Sequence, residues 1–165
     1  MPNLLTQIED FHSLVVNNTP MFDTRAPIEF TQGAFPHTQS LPLMSDQERE
    51  LVGTCYKYKG QEKAIELGHE LVQGEDKQAK VTAWLEFIQK NPNGALYCFR
   101  GGLRSQITQQ WIYEESGIDY PRLKGGYKAL RRYLIDETDR IMDQITPIII
   151  GGQTGSGKTL LLDHI

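Results

Sequence analysis

Eight residues near the C-terminus, Gly152-Gln153-Thr154-Gly155-Ser156-Gly157-Lys158-Thr159, constrain the fold more than any other stretch, because they complete a G-x-x-x-x-G-K-[ST] motif. Such a motif holds phosphate only between a strand and a helix, where its glycines let backbone N–H groups approach the oxygens. Pro147 to Ile150 reads as that strand, and Leu160-Leu161-Leu162 as the apolar start of that helix. Gly152, Gly155, Ser156 and Gly157 would line the cradle, Lys158 would meet the outer phosphates, and the Thr159 hydroxyl a magnesium ion. A phosphate-loop domain needs several more strands, yet six residues follow Thr159. Residues 141–165 therefore read as a linker and the truncated start (strand, phosphate loop, helix) of a second α/β domain, expected to lack the sheet that would hold the loop.

Residues 1–140 read as one further domain. Leu4, Ile8, Phe11 and Leu14 are spaced as in a helix over 3–16. Met21 to Arg25 reads as a short strand, and 31–44, with Gly33, Pro36 and Pro42, as mostly irregular. Ser45 and Glu48 form a capping box that starts a helix near 46. Gly60 and Gly74 divide the stretch up to Asn91 into three helices, the last carrying Ala79, Ala83, Trp84, Phe87 and Ile88 on one face. Ala95 to Tyr97 reads as a strand, Ser105 as the cap of a helix closed by Gly117, Tyr120 to Leu123 as another short strand, and Tyr127 to Ile141 as a final helix. Strands alternating with helices predict a short central parallel sheet flanked by helices. Ligands bind such sheets at the carboxyl edge.

Composition narrows the function. Hydrophobic residues make up 39% and charged residues 23% of the 165, an ordinary globular balance. A net charge of −4 excludes a protein basic all over, so any nucleic-acid contact is local. No apolar run approaches a membrane span and the N-terminus has no basic signal-peptide region, which points to the cytoplasm and to free thiols at Cys55 and Cys98. Cys55 lies between apolar neighbours in a helix and reads as packing. No metal-ligand set and no tightly bound cofactor are expected.

The second loop of interest is Cys98-Phe99-Arg100-Gly101-Gly102-Leu103-Arg104-Ser105. A cysteine between a strand and a helix lies at the positive helix end, which favours the thiolate. Arg100 and Arg104 add charge, and Gly101 and Gly102 let the amides of Phe99 to Leu103 turn inward as an anion cradle. The loop suits a nucleophilic sulfur carrying a persulfide, a perselenide or a phosphate. The bland alternative is a buried strand-end cysteine beside a glycine turn. Downstream, Arg122, Lys124, Lys128, Arg131 and Arg132 fall within twelve residues that contain no acid, with Tyr127 among them. Such a patch can hold an RNA backbone and stack a base; it reads equally as a solvated helix face.

The cysteine loop resembles that of the rhodanese family. Asp23 and Arg25 look like that family's first-strand Asp-x-Arg, read as fold-supporting. Glu29-Phe30 followed by Gly33 to His37 looks like its next conserved segment, with His37 a loop residue, and Leu41-Pro42-Leu43 like the stretch after it. The span from Cys98 to Arg104 is one residue longer than in common sulfurtransferases of this family and resembles its phosphatase relatives, although Tyr97 stands where those have His. Taken with Leu123 to Lys128 and Gly151 to Thr159, the residues resemble the bacterial tRNA 2-selenouridine synthases. That resemblance implies replacement of the sulfur of wobble 2-thiouridine by selenium from selenophosphate, with Cys98 holding a selanyl group and Arg104 stabilising it. It also implies a geranylated intermediate made from geranyl diphosphate, with selenophosphate and geranyl diphosphate as substrates, tRNA as partner, and selenophosphate or its supplying enzyme as a second partner. A sulfurtransferase, a rhodanese-related phosphatase and a non-catalytic rhodanese-like fragment remain as alternatives.

Overall fold

The computed structural model describes residues 5–146 and 148–163. The chain divides into two compact units, one up to Arg132 and one from Tyr133.

In the first unit, β1 (Gln7–Ile8), β2 (Met21–Asp23), β3 (Thr38–Ser40), β4 (Ala95–Tyr97) and β5 (Arg122–Leu123) form one sheet in the order β1-β5-β4-β2-β3. Every pairing is parallel. The helices are α1 (Phe11–Val16), α2 (Pro27–Thr31), α3 (Asp46–Lys59), α4 (Gln61–Leu71), α5 (Gly74–Lys90), α6 (Leu103–Ser116) and the start of α7 (Gly126–Met142). The expected short parallel sheet flanked by helices is the architecture observed. The strands β2 and β4 lie inside the sheet and are buried at every residue, as unbroken short runs in a parallel sheet should be.

The core joins Phe22 and Leu96 of the sheet to Val81, Trp84, Phe87 and Ile88 of α5 and to Trp111 and Ile112 of α6. Phe87 meets Phe22 edge-on at 5.3 Å, and Trp84 stacks on Trp111 at 6.3 Å. The two buried polar rims are satisfied: the Trp84 indole N–H donates to the Leu41 carbonyl at 3.0 Å, and the Tyr120 hydroxyl to that of Asn91 at 2.9 Å. Burial of each such aromatic stabilises the fold by about 2–3 kcal/mol. The Ser45–Glu48 capping box starts α3 as expected, and Gly60 (φ +86°) separates α3 from α4.

Three expectations need correction here. The helix read over 3–16 begins only at Phe11, because the Asp10 carboxylate accepts from the Ser13 N–H at 3.0 Å and caps it there. Gln7 and Ile8 are instead extended and pair with Arg122 and Leu123; Leu4 lies outside the described residues. Within the stretch read as irregular, Thr38–Ser40 is a strand, because β2 offers it a free edge. Ser105 does not cap α6: the helix starts two residues earlier, with Gly102 at its cap and no side-chain cap bond.

In the second unit, α7 continues to Met142 and a short α8 (Lys158–Leu162) follows the phosphate loop. The expected strand before that loop is not formed at 148–150, and Pro147 lies outside the described residues. A strand needs a neighbour with which to exchange backbone hydrogen bonds, and the described residues of the second unit hold no other strand. Ile148 and Ile149 are 91% and 89% exposed.

Candidate functional site

Because every strand runs the same way, the segments leaving β2, β4 and β5 emerge at one edge of the sheet. They bring together Arg25 and α2, the Cys98 loop, and the Lys124-Gly125-Gly126 turn. Between them lies an open cleft of about 490 Å³ lined by Cys98, Phe99, Arg100, Gly102, Leu103, Arg104, Arg25, Arg49, Glu29 and Gln32. Four arginines and one carboxylate, Glu29, line it, an excess of positive charge able to attract an anion.

Cys98 follows β4 directly and is 3% exposed. Its thiol donates to Ser105 Oγ at 3.1 Å, and that hydroxyl donates to the Gly102 carbonyl at 3.0 Å. Ser105 thus links the Cys98 sulfur to the Gly102 carbonyl at the start of α6. The loop is held from behind. The Tyr127 and Lys128 amides, in the first turn of α7, donate to the carbonyls of Cys98 and Phe99 at 2.8 and 3.0 Å. Arg122 Nη1 donates to the Gly101 carbonyl at 3.0 Å. The N–H groups of Phe99, Arg100, Gly101 and Gly102 donate to no acceptor among the described residues. Four successive amides without a protein partner, at the head of a 14-residue helix, are an arrangement able to hold an anion.

Two glycines allow the close approach. A Cβ at Gly126 (φ +59°) would lie 2.2 Å from the Cys98 carbonyl oxygen, and one at Gly101 (φ +66°) would lie 2.7 Å from the Gly125 nitrogen.

Arg104 points into the cleft from α6, but it is not free there. Its Nη1 and Nη2 bind the Glu29 carboxylate at 2.5 and 3.2 Å, and Arg49 Nε reaches the same group at 3.1 Å. Burial pushes the Glu29 carboxyl up, but hydrogen bonding and charge from Arg104, the Ala26 N–H and Arg49 outweigh it and hold the group below its ordinary value. Arg25 is buried in a bidentate pair with Asp23, its Nη2 at 2.7 Å from Oδ2, and its guanidinium lies 4.0 Å over the Tyr127 ring. Glu29, Arg49 and the backing by Gly125 and Gly126 were not assigned to the site from sequence. The available signal was Glu29 four residues after Arg25 in the same short motif.

The basic stretch divides. Lys128, Arg131 and Arg132 are exposed on α7. Lys124 is exposed and pairs with Glu9 at 2.8 Å. Tyr127 is half-buried, with its ring 4.9 Å from that of Phe35 and 6.2 Å from that of Phe99. Arg122, expected on an RNA-facing surface, is instead 9% exposed beneath the cysteine loop. Its side chain is held there by Gln109 of α6 and the Gly101 carbonyl.

The phosphate loop, taken by itself, has its expected turns, with Gly152, Gly155 and Gly157 at φ +152°, +81° and +80°. The Lys158 ammonium donates to the Gly152 and Gln153 carbonyls at 2.9 and 2.7 Å, occupying the loop's own acceptors. Ser156 Oγ lies 3.3 Å from that ammonium, and Thr159 stands in the first turn of α8. Cys55 is half-buried in α3. Among the described residues, no helix is long and apolar enough to cross a membrane.

No family model matches the chain. It is 56% identical over 156 residues to the tRNA 2-selenouridine synthase of Pseudomonas fluorescens, 55% over 161 residues to that of Sulfurovum sp., and 58% over 157 residues to that of Photobacterium profundum. These alignments cover 94%, 98% and 95% of this chain but 43%, 44% and 43% of the relatives, so the chain spans less than half of their length. The structure is similar to the N-terminal domain of a protein described as ATP/GTP-binding from Clostridium difficile 630. That match has a TM-score of 0.67 and 27% identity, and covers 79% of this chain and 99% of that domain. Over nearly its whole length the chain is similar to tRNA 2-selenouridine synthases, of which it spans less than half.

Proposed function

We propose that this chain carries the chalcogen-handling site of a tRNA-modifying transferase that replaces the sulfur of wobble 2-thiouridine with selenium. Cys98 is the nucleophile, and selenophosphate is the selenium donor. The observation that carries the reading is the placement of Cys98 on the floor of an arginine-lined cleft beneath four unpartnered amides. That arrangement binds an anionic donor beside the Cys98 sulfur. Arg100 and Arg104 supply charge at the mouth, with Arg104 exchanging part of its bond to Glu29 for the ligand.

The tRNA backbone is held by the exposed Lys128, Arg131 and Arg132, with Lys124 at the margin. The phosphate loop serves a phosphate-bearing ligand, geranyl diphosphate in the family's chemistry. There Lys158 would leave its loop carbonyls for the ligand's oxygens, and the Thr159 hydroxyl would reach a phosphate-bound magnesium ion. The rhodanese-related phosphatase reading fits less well. A phosphatase needs a protonated acid beside the leaving group, and Glu29, the cleft's carboxylate, is held ionised by two arginines.

The test is incubation with selenophosphate and 2-thiouridine tRNA, followed by mass analysis of nucleosides, on this chain and on a chain extended to the relatives' length. Selenouridine in the extended protein and none in its Cys98→Ser variant is the expected result. Selenium incorporation by Cys98→Ser refutes the assignment.

A further inference from the structure

Arg122 is the one motif residue that the proposed function leaves without a task. Its Nε donates to Gln109 Oε1 at 3.0 Å and its Nη1 to the Gly101 carbonyl at 3.0 Å. Gln109 is itself tied by its amide nitrogen to the Thr6 and Tyr120 carbonyls at 2.8 and 2.9 Å. All of these partners are neutral. Among the described residues no carboxylate pairs with Arg122, although it is nine-tenths buried. A buried guanidinium is costly to hold without a counter-ion, so its charge is available to an anion in the neighbouring loop. Burial holds this guanidinium below its ordinary value, and the group that opposes that effect is Cys98.

We infer that Arg122 is the buried counter-charge of the Cys98 loop. It is a positioning residue that fixes the Gly101 peptide and whose unpaired positive charge favours an anionic sulfur at Cys98 or a chalcogen anion carried on it. This inference rests on the reading of Cys98 as nucleophile. Arg25, Arg49, Arg100 and Arg104 also face Cys98 across the cleft, with Glu29 opposing them. Of these, Arg25, Arg49 and Arg104 already bind carboxylates. Arg122 differs in lying behind the loop, where no carboxylate offsets its charge.

The experiment is alkylation of the 165-residue chain by iodoacetamide, with Cys98 and Cys55 followed separately by peptide mass and Cys55 serving as internal reference. Arg122→Lys keeps the charge but not the fork; Arg122→Gln and Arg122→Met remove the charge. Both neutral variants should alkylate Cys98 about tenfold more slowly near pH 7, with the gap narrowing at high pH, while Arg122→Lys stays within about threefold of wild type. A role confined to hydrogen bonding predicts instead that Lys fails like Met, with no recovery at high pH, and that result overturns the inference. If neither neutral variant folds by circular dichroism, the lysine variant decides: near-wild-type alkylation supports the charge, and a tenfold loss in a folded lysine variant overturns it. If wild-type Cys98 reacts no faster than Cys55, the nucleophile reading falls and takes this inference with it.

Discussion

The chain holds two glycine-rich loops, and they differ in what supports them. Around Cys98, the carbonyls of residues 98, 99 and 101 are each tied to a neighbour distant in sequence: the Tyr127 amide, the Lys128 amide and Arg122. In the phosphate loop, the turn bond from Ser156 to Gln153 and the three bonds of Lys158 all stay within the motif. Both sequences permit left-handed turns and inward amides. The first is preorganised by the sheet edge on which it sits; the second closes on its own lysine. A motif thus specifies the conformations open to a loop, and its neighbours decide whether one of them is held before the ligand arrives.

The sharpest way to break this contrast is to add a side chain at matching glycines. Gly126→Val forces a branched Cβ to within 2.2 Å of the Cys98 carbonyl at φ +59°. It should cost about 3 kcal/mol or more, from backbone strain together with overpacking. A drop in thermal midpoint and loss of Cys98 alkylation would report it. Gly155→Val, at φ +81° with nothing within 4 Å, should leave the main melting transition in place. Equal destabilisation by the two would erase the distinction.

An intermediate effect is expected at Glu29. Its carboxyl lies below the usual range in the folded protein, so its pairing stabilises the fold above the unfolded value near 4.5 and is lost as pH falls through the folded value. Glu29→Gln should be about 1–2 kcal/mol less stable than wild type at neutral pH, and the gap should close in acid. Denaturant titrations at several pH values would show it; a gap that widens in acid would contradict the pairing. The smallest effect belongs to Lys158→Ala. The unfolding free energy should change by less than about 0.5 kcal/mol, as for exposed sites, while binding of inorganic diphosphate by calorimetry is lost.

Much of this was legible locally. The strands at Met21 and Ala95, the capping box at Ser45 and the turns of both glycine-rich loops rest on patterns a few residues long, and those elements form where the patterns lie. What escaped depends on distance along the chain. Glu29 and Arg104 are 75 residues apart, and the Cys98–Tyr127 bond joins two motifs read separately. Arg122 sits in a run without acids, which signals a solvated face, yet the strand it belongs to is interior. Ile8 matched the helical spacing of Phe11 and Leu14, and only the Asp10 cap and the partner strand show why that spacing is not used.

The bonds at the back of the cysteine loop also decide what the front can accept. In a trans peptide the C=O and N–H point opposite ways. Tying the oxygens of residues 98, 99 and 101 rearward therefore commits the N–H groups of Phe99, Arg100 and Gly102 to the other side. None of these three planes can flip to show its oxygen without abandoning a bond to Tyr127, Lys128 or Arg122. A potassium or ammonium ion seeking carbonyls finds none presented by them. The orientation of these peptide planes disfavours a cation at the loop, before size or shape is consulted.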